Sequence, residues 1–284
     1  MAKFILSAFA DEAADNLNDQ ITALQQEQIH WVELRGVNGK NCAQLTLEEA
    51  DQICKQLHLG GIEVFALGSP YGKIPINKPF APHLELFRHG LAICKRLQCH
   101  RIRMFSFYIP AGDTPQAWRS EVLARLSAML DEAEAAGIQL VHENEKDIYG
   151  DTDDRCLDIL NALGGRLGFA FDPANFIQSS VWPEQAFEKQ HDRITYMHIK
   201  DALMEDGAVV RAGYGDGHVS ELLRRLNLER ESEIILSVEP HLMVFNGLKA
   251  LQEELPKNHE AYTDQRSAFH AACKALKNLL EEVG

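Results

Sequence analysis

The sequence predicts one α/β domain, a single (β/α)8 barrel with its functional site at the C-terminal rim of the strands. Three observations carry this. Eight short Val/Ile/Phe-rich segments alternate with amphipathic stretches along 284 residues. The apolar segments lack clean period-2 alternation, as strands buried on both faces do. The last four each end in a residue able to bind a metal: IQLVHE on Glu143, LGFAFD on Asp172, ITYMH on His198 and EIILSVE on Glu239.

Taken in order, the first four strands are FILSAF from Phe4, HWVELRG from His30, EVFALGS from Glu63 and RIRMFSFY from Arg101. Between them, TLEEADQICKQL offers Thr46 as an N-cap with Glu49 three residues on, a capping box. DTPQAWRSEVLARLSAMLDEAEAAG sets Thr114 before Pro115 and closes on Gly137, the expected asymmetry of helix ends. The four rim residues are spaced 29, 26 and 41 positions apart, room for a helix and its loops each time. TDQRSAFHAACKALKNLLEEV forms the closing helix. No low-complexity linker divides the chain and no GxGxxG follows the first strand, so one right-handed series closing on itself is simpler than an open sheet. The domain is expected to span residues 1–284, against about 250 for a typical barrel of this kind. HLMVFNGLKALQEELPKNHEAY, after the eighth strand, is a candidate cover for the rim or an oligomer interface.

Hydrophobic content of 45% and charged content of 25% are those of an ordinary globular protein. No apolar run approaches the ~18 residues of a spanning helix. The start, MAKFILSAFADEAAD, has too short an apolar part for a signal peptide and turns acidic at once. The expected location is cytoplasmic. With 28 Lys+Arg against 42 Asp+Glu, the formal charge is −14. No basic run offsets it, which argues against nucleic acid and anionic membranes as partners. Cys42, Cys54, Cys94, Cys99, Cys156 and Cys273 are scattered without CxxC or zinc-type spacing, and read as reduced, buried thiols.

A lone carboxylate at a strand end is commonly a loop residue or a helix cap. Four such residues on consecutive strands are different, because burying like charges together is costly unless a cation or proton compensates. Glu143, Asp172, His198 and Glu239 suit one hard or borderline divalent ion, with Mn, Mg, Co and Zn all open. Alternation adds neighbours on the same side: His241 two past Glu239, Lys200 two past His198, Arg35 two past Glu33. Each is a candidate to hold a substrate hydroxyl, carboxylate or phosphate, and equally a rim salt bridge. His142 is expected to face the helix layer as a packed, hydrogen-bonded histidine. Arg211 and His218 flank the RAGYGDGH loop, with Arg211 a candidate substrate contact, although a plain loop fits as well. Glu145 and Lys146 read as caps of the following turn.

LVHENEKDIYGDT, FAFDPANF, YMHIKD and SVEPH, together with VELRG and GYGDG, resemble the motifs of the sugar phosphate isomerase/epimerase family, whose members are xylose isomerase-like TIM barrels. Within it the sequence is most similar to ketose 3-epimerases and hydroxypyruvate isomerases, over nearly the whole chain. The resemblance implies that Glu143, Asp172, His198 and Glu239 ligate the metal and that the two glutamates also move protons. A divalent ion would then stabilise the enediolate formed from a hydroxy-ketone. Asn175 stands where the better-known ketose 3-epimerases carry a histidine, and can bind a substrate hydroxyl. Sister apurinic-site endonucleases need further metal ligands, and LGSP and FSFY supply none. The expected activity is a metal-dependent isomerase or epimerase of a small ketose, sugar acid or sugar phosphate. The alternatives are a lyase of the inosose or dehydroshikimate dehydratase type, and a non-catalytic sugar-binding barrel. The partner expected is a small carbohydrate-like molecule, with homo-oligomerisation left open.

Overall fold

The computed structural model describes residues 1–245, 257 and 260–284. All eight expected strands form: β1 Lys3–Ala8, β2 Trp31–Leu34, β3 Glu63–Gly68, β4 Arg101–Met104, β5 Gln139–Glu143, β6 Leu167–Phe171, β7 Ile194–Ile199 and β8 Glu233–Val238. Each pairs in parallel with its neighbours in sequence, and β8 pairs with β1 to close the barrel. The expected single barrel is therefore the fold.

The helices between strands are α1 Leu17–Gln26, α2 Leu47–Leu59, α3 Ala81–Arg96, α4 Pro115–Ala136, α5 Asp153–Leu163, the short α6 Pro173–Gln178, α7 Pro183–Gln190 and α8 Val219–Glu229. The closing helix is α9, Gln265–Val283. Their ends follow local chemistry. Thr46 Oγ1 accepts from Glu49 N at 3.1 Å while Thr46 N donates to Glu49 Oε2 at 2.9 Å, the capping box that starts α2. Pro115 opens α4 and Gly137 closes it at φ 72°, a conformation that costs glycine nothing.

Two apolar layers result from the side-chain period of two. Leu140, Phe169, Met197 and Leu236 belong to the main core between strands and helices. The alternate residues Phe65, Val141, Ala170 and Tyr196 form a separate cluster inside the barrel, with Trp31 and Ile235 against it. That interior plug sets the floor of the rim site, since Glu33, Glu143, Asp172, His198 and Ser237 each lie two residues further along their strands. Two short hairpins, Gly36–Val37 with Lys40–Asn41 and Asp201–Ala202 with Val209–Val210, extend the rim after β2 and β7.

All six cysteines are free and buried, as expected. Among the described residues no helix is long and apolar enough to cross a membrane. Of the long segment after β8, residues 246–256, 258 and 259 lie outside the described residues, and the expected cover or oligomer interface falls largely on them.

Candidate metal centre

Glu143 ends β5, Asp172 follows β6 as the N-cap of α6, His198 lies in β7, and Glu239 follows β8. Barrel closure brings one ligand atom from each to within 4.8 Å of the others. His198 Nδ1 is 2.9 Å from Glu143 Oε1, 3.8 Å from Asp172 Oδ2 and 3.7 Å from Glu239 Oε2. All four residues are buried. Asp172 Oδ1 is used by the helix cap, accepting from Asn175 N at 2.9 Å. Asp172 Oδ2 accepts no well-directed hydrogen bond, though the Lys200 ammonium stands 2.9 Å away. Donor atoms gathered this closely could share a single ion. Three carboxylates and an imidazole suit a hard or borderline divalent cation. The residues present fit one metal.

A polar shell fixes these side chains. Asn175 Nδ2 donates to Glu143 Oε1 at 3.0 Å and to Asn144 O at 2.9 Å. Asn144 in turn ties β5 to the end of β6, through Asp172 O and Asp172 N, both at 2.9 Å. Arg103 Nε lies 3.1 Å from Glu143 Oε2, and its Nη1 donates to Ser69 O at 2.8 Å. Lys200 Nζ donates to Glu239 Oε2 at 2.8 Å. Glu33 carries Tyr196 on one oxygen and His198 on the other.

Arg35 is placed at the site, but its donors are spoken for. Nε and Nη2 hold Asp11 at 2.9 and 3.0 Å, Nη2 also holds Glu12 at 2.9 Å, and Nη1 holds Glu239 at 2.8 Å. His241 Nε2 lies 3.4 Å from Nη1. The guanidinium plane sits between the rings of Phe9 and Phe245, 4.4 and 4.7 Å from their centroids. All five N–H groups thus have protein partners, so Arg35 is a clamp on the rim acids with none left over for a substrate.

The electrostatics follow from burial. Among the described residues, seven buried carboxylates at the site (Asp11, Glu12, Glu33, Glu143, Glu145, Asp172, Glu239) face the buried cations Arg35, Arg103 and Lys200 and the half-buried Lys73. Burial raises the Glu143 carboxyl, and the nearby His198 and Arg103 offset that only in part. Burial would raise Glu239 as well, but Lys200 in direct contact and the other cations hold it well below the usual range. Glu12 is pushed up to about 8 by burial, which Arg35 only partly counters, and by repulsion from Glu239 and Asp11. Burial drives His241 well below its ordinary value, so it is neutral. A centre this rich in acid favours a bound cation.

At the donors lies a narrow cavity of only about 20 Å³, lined by Arg35, Gly68, Ser69, Lys73, Arg103, Phe105, Glu143, Glu145, Lys200, Glu239 and His241. Lys73 holds Glu145 at 2.8 Å and stands over the Phe105 ring. A larger hollow at the opposite end of the barrel is lined by Trp31, Phe65, His100 and Arg101 among others. It touches none of the four donors, and barrels of this kind work at the C-terminal rim, so the smaller cavity is the candidate site.

The structure therefore brings Glu143, Asp172, His198, Glu239, Arg35, Asn175, Lys200 and His241 together. It does not bring Arg211. That side chain pairs with Glu260 at 3.0 Å, covers the Tyr214 ring and does not line the cavity. His218 pairs with Glu184. Asn175 spends its amide on Glu143. Glu145 does accept from Lys146 N at 3.0 Å, but it also lines the cavity. His142 is buried and packs parallel to Phe169, yet neither ring nitrogen has a hydrogen-bond partner, against expectation. Burial lowers its pKa to about 3. Sequence reasoning passed over Glu33, Arg103, Lys73, Asp11 and Glu12 as site residues. Alternation does offer a signal for Glu33, two before Arg35, and for Arg103 inside RIRMF.

Against this geometry, the family model for xylose isomerase-like TIM barrels matches residues 22–274. The chain belongs to that family. No curated protein matches it. Among solved structures of the same fold, an L-ribulose 3-epimerase superposes with a TM-score of 0.74 at 15% identity, covering 100% of this chain and 96% of that one. The IolI protein with a bound zinc atom superposes at 0.73 and 15% identity, covering 99% of each chain. A probable 3-DHS dehydratase, AsbF of Bacillus anthracis, superposes at 0.71 and 15% identity, covering 98% of this chain and 99% of its own. The family resemblance read from HENE, FDPAN, HIKD and VEPH holds. At such identities these structures share the fold.

Proposed function

We propose that the protein is a divalent-metal-dependent isomerase or epimerase of a small hydroxy-ketone: a ketose, a sugar acid or a sugar phosphate. One observation carries the reading. Glu143 and Glu239, from nearly opposite sides of the barrel, converge with Asp172 and His198 on one point and also line the cavity above it. When bound there, the ion supplies polarisation of the carbonyl and stabilisation of enediolate charge. Each glutamate directs one oxygen to the centre, Oε1 of Glu143 and Oε2 of Glu239. Its other oxygen faces a guanidinium, Arg103 by ion pairing for Glu143 and Arg35 by a hydrogen bond for Glu239. Fixed in this way, one carboxylate takes the proton from the carbon beside the carbonyl and the other returns one. Asp172 and His198 only ligate. Interior Phe65, Val141, Ala170 and Tyr196 close the floor against water.

The test begins with metal content by elemental mass spectrometry, on wild type and on Glu239→Gln purified without chelators. About one equivalent in wild type, weakened in the variant, supports the site. Ketoses and sugar acids are then screened for deuterium uptake from heavy water. No metal even after adding Mn or Co would sink this reading and leave a sugar-binding barrel. A new ultraviolet-absorbing enone in place of deuterium exchange would make the enzyme a dehydratase.

A further inference from the structure

Glu33 is a fully buried carboxylate on the inward face of β2, and the proton transfers above do not use it. Burying such a group is costly, so its partners matter. Oε2 lies 3.1 Å from His198 Nε2, and Oε1 accepts from the Tyr196 hydroxyl at 2.9 Å. Arg103 Nε stands 3.6 Å from Oε1 and 3.1 Å from Glu143 Oε2, coupling Glu33 to a second donor. On the far side of the same imidazole, Nδ1 faces Glu143, Asp172 and Glu239. The ring stands edge-on to Phe9, with centroids 5.1 Å apart, which restricts its rotation.

The register of β2 against β3 shifts between Val32–Val64 and Glu33–Ala66, the extra residue being Phe65 of β3. Tyr196 takes one oxygen, leaving the other for the imidazole. A neutral imidazole has one N–H and one lone pair, and the group at one nitrogen decides what the other can do.

We infer that Glu33 is a positioning residue of the metal centre: it holds His198 as the Nε2–H tautomer, so that the Nδ1 lone pair is presented to a divalent ion shared with Glu143, Asp172 and Glu239. This inference rests on the metal-site reading above. It assigns a task to the glutamate of WVELRG that neither the rim motifs nor the proton chemistry account for. Loss of such an outer partner typically weakens metal affinity by about 10–100-fold.

The first test uses the unaltered chain, labelled with ¹⁵N-histidine and loaded with Zn²⁺, with His198→Gln to identify the signal. Long-range ¹H–¹⁵N spectra should show Nε2 protonated and Nδ1 bound to the metal. Binding through Nε2 overturns the inference whatever the variants do. The second is Mn²⁺ affinity by calorimetry, for wild type, Glu33→Gln and Glu33→Leu. The glutamine keeps an acceptor for the Nε2 proton and should bind within about threefold of wild type, while the leucine should fall by about 10–100-fold. A folded leucine variant that binds like wild type overturns the inference. If that variant does not fold, the tautomer and Glu33→Gln decide, and Gln weakened by more than tenfold counts against. A wild type that binds no divalent ion fails the metal-site reading itself. A wild type that binds through Nε2 fails only the assignment of Glu33.

Discussion

Arg35 Nη1 donates to Glu239 Oε1 at 2.8 Å, and across the cavity Arg103 Nε forms an ion pair with Glu143 Oε2 at 3.1 Å without a directed hydrogen bond. The two glutamates proposed to move protons are thus each paired with one guanidinium, Arg35 just after β2 and Arg103 in β4. A guanidinium stays charged at any working pH, so each pairing persists wherever the glutamate is ionised. Each glutamate is left with one oxygen facing the centre.

That arrangement predicts large and separable effects. Glu143→Gln and Glu239→Gln should each lower deuterium exchange on the true substrate by about 10²–10⁴-fold, the usual worth of a positioned acid or base. Near-normal turnover in both would end the proposed mechanism.

Arg35 has a different signature, because its role is to neutralise Asp11, Glu12 and Glu239. Arg35→Met should cost about 3–5 kcal/mol of stability in urea melts, the cost of leaving buried charge unpaired. Arg35→Lys should recover only part of it, since an ammonium cannot reproduce the paired contact with Asp11. A methionine variant as stable as wild type would show that the rim acids are relieved in another way.

Metal removal should be visible without any substrate. An ion at about 100 times its Kd adds about 2.7 kcal/mol to the folded state, on the order of 5 °C in Tm for a domain this large. Chelation should lower Tm by that order and Mn²⁺ or Co²⁺ should restore it in wild type. The shift should largely vanish in Glu239→Gln.

Asp201 organises the loop that the sequence offered as a ligand contact. Its Oδ2 accepts from Gly213 N at 2.9 Å and Gly215 N at 3.1 Å; its Oδ1 accepts from Gly217 N at 2.8 Å and Ala202 N at 2.9 Å. A Cβ at Gly215 or Gly217 would collide with that carboxylate. Gly215→Ala and Asp201→Ala should each destabilise the protein by more than about 2 kcal/mol, through displaced or unpaired buried amides. Unchanged melting would refute the cradle.

Stability should also fall in mild acid through His83, whose Nε2 accepts from Gly72 N at 2.9 Å. Burial, helped by Arg125, lowers its pKa from 6.5 to about 4. In that window the unfolded chain binds a proton that the folded chain does not. His83 therefore costs nothing above pH 6.5, and its penalty grows as pH falls toward 4, by up to about 1.4 kcal/mol per pH unit. His83→Gln, which keeps an acceptor for Gly72, should flatten this acid limb; an unchanged slope would assign it elsewhere.

Much of the site was legible because strand-end residues announce themselves locally. Glu143, Asp172, His198 and Glu239 each close an apolar run, and a period of two carries Arg35, Lys200 and His241 to the same side. The same rule could have flagged Glu33, but not its partners, since Tyr196 and His198 lie 163 and 165 residues away along the chain. Arg211 misled because an arginine beside glycines looks like a ligand contact, whereas the glycines serve the buried Asp201. His142 lacks the expected hydrogen bond: it is buried against the Phe169 ring, and the nearby Ser106 hydroxyl is taken by Gly150 N.

By itself, then, the sequence determined the strands and helices, their single closed order, and the four residues at the rim. These depend on caps, periodicity and hydrophobic runs, which act over a few residues. Only the tertiary structure decided which side chains meet: that Arg35 is consumed by three acids, that Glu33 faces His198, and that Arg211 pairs with Glu260. The register with which the strands close the barrel sets those distances, and register is a property of the whole sheet.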